Sequence, residues 1–119
     1  MKTSTGKAKK ADELRFAAMK EAGCLCCLLH GHPNVPGEVH HLTSRGRRIG
    51  HQATLFLCPG HHRGVDFPMP YNEWKKAVGP SYALDRKEFR EDFGEDALLL
   101  EIQNELIRPI LAAWAGEYT

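Results

Sequence analysis

Hydrophobic residues recur at helical spacing near both ends of the 119-residue chain. Residues 11–22 carry apolar side chains three or four positions apart and stop at Gly23, a residue type that commonly ends helices. Residues 96–114 carry a longer stripe of Leu, Ile and Trp that contains Pro109. The pattern predicts an N-terminal helix and a long amphipathic C-terminal helix that bends near the proline.

Two short strand-like runs lie in the middle of the chain. Residues 38–42 and 53–57 have the length and composition of strands, and a basic, glycine-containing loop at residues 43–50 joins them. Pro59 follows the second run, where the first turn of a helix tolerates its missing N–H. The order strand, loop, strand and short helix is therefore predicted for this region.

Two further helices are predicted before the C-terminal one. Residues 71–78 form a short helical segment, and Asp85 with Glu88 has the spacing of a capping box that begins a second helix. A chain of 119 residues has room for one core but not for separate cofactor-binding and catalytic domains. We expect an α+β fold in three parts, a flexible basic arm, a core and a helical extension packed on that core: residues 1–10, 11–67 and 68–119.

Charge is distributed unevenly along the chain, although the formal net charge is only +1. Residues 1–63 contain ten basic and four acidic residues, whereas residues 64–119 contain six basic and eleven acidic ones, so the halves carry +6 and −5. A basic half can meet a phosphate backbone, and an acidic half more readily faces water. Charge alone is compatible with a nucleic acid partner without selecting one.

Neither a membrane span nor a secretory signal is predicted. No apolar run approaches the ~20 residues of a transmembrane helix. The first ten residues also lack the apolar segment of a secretory signal. We therefore expect a cytoplasmic protein that does not contact membranes.

All seven histidines and all four cysteines lie between positions 24 and 62. In a cytosolic protein, such clustering favours metal binding or catalysis over disulfides. Cys24-x-x-Cys27 and Cys58-x-x-His61 are paired motifs separated by about thirty residues, which is the ligand spacing of a tetrahedral zinc site. We assign these four residues as ligands of a structural Zn²⁺ ion.

Other residues of the same region can compete for the zinc ion. They are Cys26 in place of a neighbouring cysteine, and His30 or His32 in place of the histidine. A closed metal site would supply folding energy to residues 23–63, which contain few large apolar groups. A thiol redox enzyme lacks support, because no thioredoxin-like βαβ pattern surrounds the cysteines.

Three of the histidines that are not assigned to zinc lie in the two paired His-His positions and need another explanation: His40, His41 and His62. The first two are adjacent on a strand, so their side chains point to opposite faces unless the strand is twisted or bulged. One of them can bind a metal while the other serves a different role. The strand–loop–strand–helix order can bring His40 and His62 together as ligands of a second metal ion.

These motifs resemble those of the HNH, or ββα-metal, endonucleases. The wider pattern, over roughly residues 23–107, is similar to bacteriophage and prophage recombination-enhancement nucleases of the Ref type, which are small zinc-containing HNH enzymes that act on DNA. The resemblance implies a ββα-metal core with a zinc knuckle, flanked by an N-terminal helix and C-terminal helices. The motifs that carry it are Gly23-Cys24-x-x-Cys27, Glu38-Val-His-His-Leu42, Gly46-Arg-Arg-Ile-Gly50, Thr54-Leu-Phe-Leu-Cys58-Pro-Gly-His-His-Arg63, Phe89-x-x-x-Phe-Gly94 and Leu98-Leu99.

The resemblance also implies a role for each remaining histidine. His40 and His62 would bind a catalytic divalent cation, and His41 would be the general base. The middle asparagine of the HNH motif has no counterpart, so His51 takes that place and either orients the base or completes the metal shell as third ligand. Asp66, four residues after His62, is the alternative third ligand if the helix continues that far.

The chemistry of phosphodiester hydrolysis suits these residue types. A neutral imidazole near pH 7 can accept a proton from an attacking water molecule. A divalent cation stabilises the charge that develops on the phosphate and on the leaving oxygen. An imidazole-containing site with open positions accepts Mg²⁺, Mn²⁺ or Zn²⁺ as the catalytic ion.

Four arginines lie next to these histidines in the sequence. Arg45, Arg47 and Arg48 belong to the loop between the strands, and Arg63 follows the last histidine. Guanidinium groups bind phosphate well, and such contacts fix the register of a protein on DNA without reading its sequence. We expect the three loop arginines to bind DNA and Arg63 to contact the phosphate.

The function predicted from these observations is a metal-dependent HNH DNA endonuclease or nickase. The resemblance adds a phage-encoded enzyme of the bacterial host cytoplasm, linked to DNA recombination or processing. Its expected partners are DNA and a recombinase or another phage DNA-processing protein. The alternative is a non-catalytic zinc module that binds DNA or protein, although such a module does not need three extra histidines. Homodimerisation through the C-terminal helix also stays open.

Overall fold

The computed structural model describes residues 6–116, which contain both helices and short antiparallel strands. The expected α+β class is therefore confirmed. Residues 1–5 of the predicted arm lie outside the described part, and Lys10 is already helical. The elements in chain order are α1 (Lys10–Ala22), α2 (Leu25–Leu29), β1 (Glu38–His41), β2 (Thr43–Ser44), β3 (Arg47–Arg48), β4 (Thr54–Leu57), α3 (Pro59–Arg63), α4 (Tyr71–Val78), α5 (Arg86–Phe93) and α6 (Asp96–Gly116).

Strand β4 separates two hydrophobic cores. It pairs antiparallel with β1, and all four of its side chains are buried. Leu55 and Leu57 point into the first core, whereas Phe56 points into the second, as the period of two along a strand requires. The pairing places His40 opposite Leu55 and His41 opposite Thr54, so the two histidines lie on opposite faces of the β1–β4 sheet.

The first core joins the cysteine-containing segment to the later helices. Leu25 of α2, Phe89 of α5 and Leu99 of α6 are fully buried in it together with residues of β4. Trp74 of α4 is also buried there, so it serves packing. The three helices that follow residue 68 thus share one core with the segment that carries the cysteines.

The second core lies between α1, α6 and the other face of β4. Met19 and Ile107 are buried in it, and Trp114 packs against them. The apolar stripe of α6 is therefore used largely within the chain, although Leu98 is exposed. The side chain of the buried Gln103 accepts a hydrogen bond from the backbone N–H of Phe56 at 2.9 Å, which satisfies the outer edge of β4.

None of the helices in the described part of the chain combines the length and the apolar character needed to cross a bilayer.

The segment predicted as a loop contains a small β-hairpin. Thr43 pairs with Arg48 and Ser44 pairs with Arg47. Arg45 and Gly46 form the turn, with φ angles of 55° and 77°. Positive φ at both central positions is the hallmark of a type I′ turn, whose twist matches that of the flanking strands. The hairpin therefore presents the arginines on a defined backbone.

The predicted capping box at α5 does not form. Asp85 precedes the helix, but its side chain makes no capping hydrogen bond. Its carboxylate instead accepts a hydrogen bond from the hydroxyl of Tyr71 and lies 3.6 Å from Lys75. Glu88 pairs with the same lysine at 2.7 Å. Contacts with α4 thus replace the local capping interactions.

Candidate active site and metal centre

The four residues predicted to bind zinc come together at the start of two short helices. Cys24 immediately precedes α2 and Cys27 lies within it, while Cys58 immediately precedes α3 and His61 lies within it. Their ligand atoms all lie within 4.8 Å of one another, and the four residues are buried. In both motifs, the three-residue spacing brings the two ligands to one side of a single helical turn.

The distances within this cysteine cluster (Cys24, Cys27, Cys58 and His61) fit a tetrahedral zinc site. The sulfur atoms of Cys27 and Cys58 are 3.8 Å apart, and Nδ1 of His61 lies between 3.3 and 3.6 Å from the three sulfur atoms. Tetrahedral bonds of about 2.3 Å to sulfur and about 2.0–2.1 Å to nitrogen require separations of about 3.8 Å and about 3.6 Å, respectively. The cluster could therefore hold a zinc ion.

The ring of His61 is oriented by contacts outside the cluster. Its Nε2–H donates a hydrogen bond to the carbonyl oxygen of Val78 at 2.8 Å, which leaves Nδ1 directed at the sulfur atoms. Burial opposes protonation of His61, but hydrogen bonds to the sulfur atoms of Cys24 and Cys58 outweigh it and raise its pKa to about 9. The cluster therefore attracts positive charge.

The three alternative zinc ligands considered from the sequence lie outside the cysteine cluster. Cys26 is fully buried in the first core, where burial raises the pKa of its thiol well above the usual value. Nε2 of His30 lies 3.2 Å from a carboxylate oxygen of Asp92. His32 is exposed. Among the described residues, only the cysteine cluster groups three or more side chains that could bind a metal.

His40 and His62 lie side by side, with ring centroids 4.8 Å apart. Nε2 of His40 is buried and has no hydrogen-bond partner among the described residues. Burial, together with the nearby charge of His62, lowers the pKa of His40 to about 4. The ring is therefore neutral near pH 7, and a buried nitrogen without a partner is a rare feature that a metal ion would explain.

Glu38 is a site residue that the sequence analysis did not single out. One of its carboxylate oxygens accepts hydrogen bonds from Nδ1 of His62 at 2.9 Å and from Nε of Arg63 at 2.6 Å. The bond from Arg63 lowers the pKa of Glu38 against the effect of burial. A carboxylate behind a histidine fixes its tautomer and leaves Nε2 available for a metal. Glu38 could have been predicted as a site residue from its spacing to His40, because residues two apart in a strand lie on the same face.

His41 and His51 form a second, separate pair. Nε2 of His41 lies 3.1 Å from Nδ1 of His51, and Nε2 of His51 lies 2.8 Å from the carbonyl oxygen of Gly6. A carbonyl can only accept, so His51 carries its proton on Nε2 and its Nδ1 accepts the proton of His41 Nε2. Nδ1 of His41 then keeps its lone pair. Burial, with the charges of Arg48 and His51, lowers the pKa of His41.

The two residues expected to supply a third metal ligand, His51 and Asp66, do not group with His40 and His62. Helix α3 ends at Arg63 because Gly64 adopts a left-handed conformation with φ of 72°. The helical argument for Asp66 therefore fails, and Asp66 is exposed beside a cavity of about 320 Å³ that Cys27 and Cys58 also line. The ring of His51 is engaged with His41 and does not group with the other histidines.

Tyr82 occupies the other side of His40, and the two ring centroids are 4.6 Å apart. The guanidinium of Arg86 lies 3.9 Å from the centre of the tyrosine ring. The arginines expected to bind DNA are exposed along the β2–β3 hairpin, and the side chain of Arg63 is 53% exposed beside Glu38. Basic groups thus lie near both histidine pairs.

Comparison with known proteins identifies the family. No curated protein matches the chain. The family model described as recombination enhancement, RecA-dependent nuclease matches residues 8–108, which include the cysteine cluster and both histidine pairs. This match extends over most of the chain. The chain therefore belongs to the recombination-enhancement, RecA-dependent nuclease family.

Proposed function

We propose that the protein is a metal-dependent DNA endonuclease or nickase of the HNH type that acts in recombination together with RecA. The observation that carries the proposal is the contact of His40 with His62, in which a buried ring nitrogen of His40 has no hydrogen-bond partner among the described residues. Family membership supports the nuclease activity and the link to RecA. The cysteine cluster would hold a structural zinc ion that keeps α2 and α3 together.

His40 and His62 would hold the catalytic divalent cation. Both offer an imidazole nitrogen, and Glu38 holds His62 in the orientation that a ligand needs. When bound, the cation would neutralise charge on the phosphate and on the departing oxygen. No third side chain completes the set among the described residues, so coordination positions stay available to water and phosphate oxygens.

His41 would act as the general base. In the tautomer set by the chain from Gly6 through His51, Nδ1 of His41 takes a proton from the attacking water molecule. The positive charge that results is shared toward His51 through the Nε2–H hydrogen bond. His51 therefore has the orienting role and is not proposed as a metal ligand.

The arginines of the β2–β3 hairpin and Arg63 would hold the DNA backbone. Glu38 anchors Nε of Arg63 and leaves the rest of its guanidinium half-exposed beside the metal pair. The hairpin arginines are exposed, with Arg45 in the two-residue turn and Arg47 and Arg48 in β3, a few residues after His41 in the chain. Bidentate contacts to phosphate from these groups would place the scissile bond against the histidines.

Replacing Arg45, Arg47 and Arg48 together by alanine is expected to weaken DNA binding and to lower its salt dependence. Each lost phosphate contact reduces the slope of log K against log salt by about 1, so the slope should fall by about 2–3. Fluorescence anisotropy of a labelled duplex at several salt concentrations measures this slope. Arg90→Ala, on the exposed face of α5, is the matched control. An unchanged slope in the triple variant contradicts the proposed interface.

The proposed function is tested by cleavage of supercoiled plasmid and single-stranded DNA with Mg²⁺ or Mn²⁺, in the presence and in the absence of RecA. The wild-type protein should cut, and the double variant His40→Ala with His62→Ala should lose at least about 100-fold in rate, because a metal ion supplies several kcal/mol of charge stabilisation. His32→Ala, which changes an exposed histidine outside both pairs, should retain activity. If the wild-type protein cuts no form of DNA even when RecA is present, the zinc-binding interaction module becomes the better description.

A further inference from the structure

One face of helix α1 contacts the segment that carries His51. Arg15 and Phe16 lie three and four residues after Asp12, which places all three on the same face of the helix. Each of them touches the segment at residues 51–54 that leads into β4. We refer to these three residues as the α1 contact face.

Arg15 makes the most extensive of these contacts. Its side chain is buried, with only 3% of the residue exposed. Nε donates to the hydroxyl oxygen of Thr54 at 2.8 Å, and Nη2 donates to the backbone carbonyl oxygen of the same residue at 2.6 Å. Nη1 donates to the side-chain oxygen of Asn104 in α6 at 2.7 Å. One guanidinium therefore joins α1, β4 and α6.

Thr54 transmits this contact to His51. Its hydroxyl accepts from Arg15, and its single proton is donated to the backbone carbonyl oxygen of His51 at 2.9 Å. Asp12 holds the intervening residue, because its carboxylate accepts a hydrogen bond from the side-chain amide of Gln52 at 2.7 Å. The backbone carbonyl of His51 is thus tied to α1 through Thr54, and the side chain of the next residue is tied to α1 through Asp12.

Phe16 completes the arrangement at the rings themselves. It packs edge-on against His51, with centroids 5.8 Å apart, and against His41, with centroids 6.3 Å apart. These contacts restrict both imidazoles from the side of α1. The Nε2-to-Nδ1 hydrogen bond between them then has little freedom to change its geometry.

The burial of Arg15 is costly for a purely structural contact. Within the described part of the chain, no carboxylate lies within ion-pair distance of its guanidinium, and burial lowers its pKa. Apolar side chains of similar volume often stabilise such positions as well as buried charges or better. Two donors of the Arg15 guanidinium bind Thr54 and a third binds Asn104, so this side chain fixes the geometry of the loop in a way that packing alone does not.

We propose that Arg15 and Thr54 are positioning residues for catalysis, which hold the backbone of His51 so that its Nδ1 keeps His41 in a single tautomer. This inference rests on the proposed function, in which His41 is the general base. Neither residue touches the phosphate, and both act through His51. A displacement of His51 by a fraction of an ångström would free the His41 ring and misalign its Nδ1.

The test compares two substitutions of one side chain. Thr54→Val removes the hydroxyl at nearly constant volume, whereas Thr54→Ser keeps it. Single-turnover cleavage at saturating DNA should fall by about 10- to 100-fold in the valine variant and stay near the wild-type rate in the serine variant, with DNA affinity unchanged in both. Histidine ¹⁵N correlation spectra, assigned with His41→Ala and His51→Ala, should show mixed tautomers of both rings in the valine variant only.

Gln52→Ala provides a second variant that does not depend on a buried site. The side chain of Gln52 is exposed, so its removal leaves folding intact, and the loss of the Asp12 contact should shift the His51 signals in the same direction with a smaller change in rate. Valine and alanine variants with wild-type rates and unchanged tautomers overturn the inference. If the wild-type protein does not cleave DNA, the proposed function fails, and the tautomer spectra alone decide whether Thr54 positions the two rings.

Discussion

His41→Ala is expected to slow DNA cleavage by about 100- to 10,000-fold at saturating DNA, the range that a general base contributes. The reason is that Nε2 of His41 is bonded to His51, which leaves the lone pair of its Nδ1 for a proton, whereas His40 and His62 are proposed to hold the metal ion. Alanine removes the base and leaves the metal pair on the opposite face of β1 in place. The measurement is a single-turnover nicking assay on supercoiled plasmid with Mg²⁺ or Mn²⁺.

Three controls separate this effect from others. DNA affinity of His41→Ala should equal that of the wild-type protein, because no phosphate contact is removed. His32→Ala should cut normally, and added imidazole should partly restore the rate of His41→Ala by supplying a diffusible base. A variant that cuts as fast as the wild type shows that another group is the base, although the nuclease class then stands.

The contrast between His40 and His41 arises from the pleat of one strand. His40 shares a face with Leu55, next to His62 and Tyr82, and burial there keeps it neutral and favours metal binding. His41 shares a face with Thr54, toward α1, and meets a hydrogen-bonding partner. Two adjacent residues thus reach different surroundings without any insertion, because successive side chains of a strand point to opposite faces.

Much of the site could be predicted from local spacing. The cysteine cluster follows from two paired motifs, since each short helix brings its own two ligands together. The contact of His40 with His62 follows from a strand that pairs with the strand preceding α3. In both cases the interacting residues belong to short helices and strands that the local sequence predicts.

The contacts that the sequence did not reveal depend on tertiary packing. Arg15 contacts Thr54 and Asn104 only because α1 and α6 pack on the same side of β4. No local sequence pattern predicts that arrangement. The predicted capping box at Asp85 fails for the same reason, because its carboxylate contacts α4 instead. The end of α3 before Asp66 has a local cause, which is the left-handed conformation of Gly64.

Removal of the metal from the cysteine cluster is expected to unfold most of the protein. The cluster joins α2 to α3, and His61 extends the connection to α4 through Val78 and to the rings of Trp74 and Phe93. Structural zinc sites contribute on the order of 10–16 kcal/mol in small metal-dependent folds, which matches or exceeds the total stability of about 5–15 kcal/mol of a typical domain. Without the ion, three buried cysteines and a histidine lose the metal that holds them together.

Far-ultraviolet circular dichroism and thermal melting before and after treatment with a strong chelator measure this effect. Helical signal and the cooperative melting transition should both disappear, and Cys58→Ser should behave like the chelated protein. Measuring zinc by mass spectrometry in a His40→Ala and His62→Ala background assigns the bound ion to the cysteine cluster. A fully zinc-free protein with an unchanged spectrum and melting temperature contradicts the structural role.

Cys26→Ala is the matched control for this prediction, because Cys26 is as buried as the ligands and lies beside Cys27 in the same short helix. Its sulfur is outside the cluster, so the variant should keep one zinc ion per chain and lose only the small packing contribution of a thiol. Loss of zinc in Cys26→Ala together with retention in Cys24→Ser or Cys27→Ser would reassign the ligand set. If Cys26→Ala keeps its zinc ion and Cys24→Ser and Cys27→Ser lose theirs, the stability depends on the ligand sulfur atoms. The loss of any buried cysteine would then not be sufficient to unfold the protein.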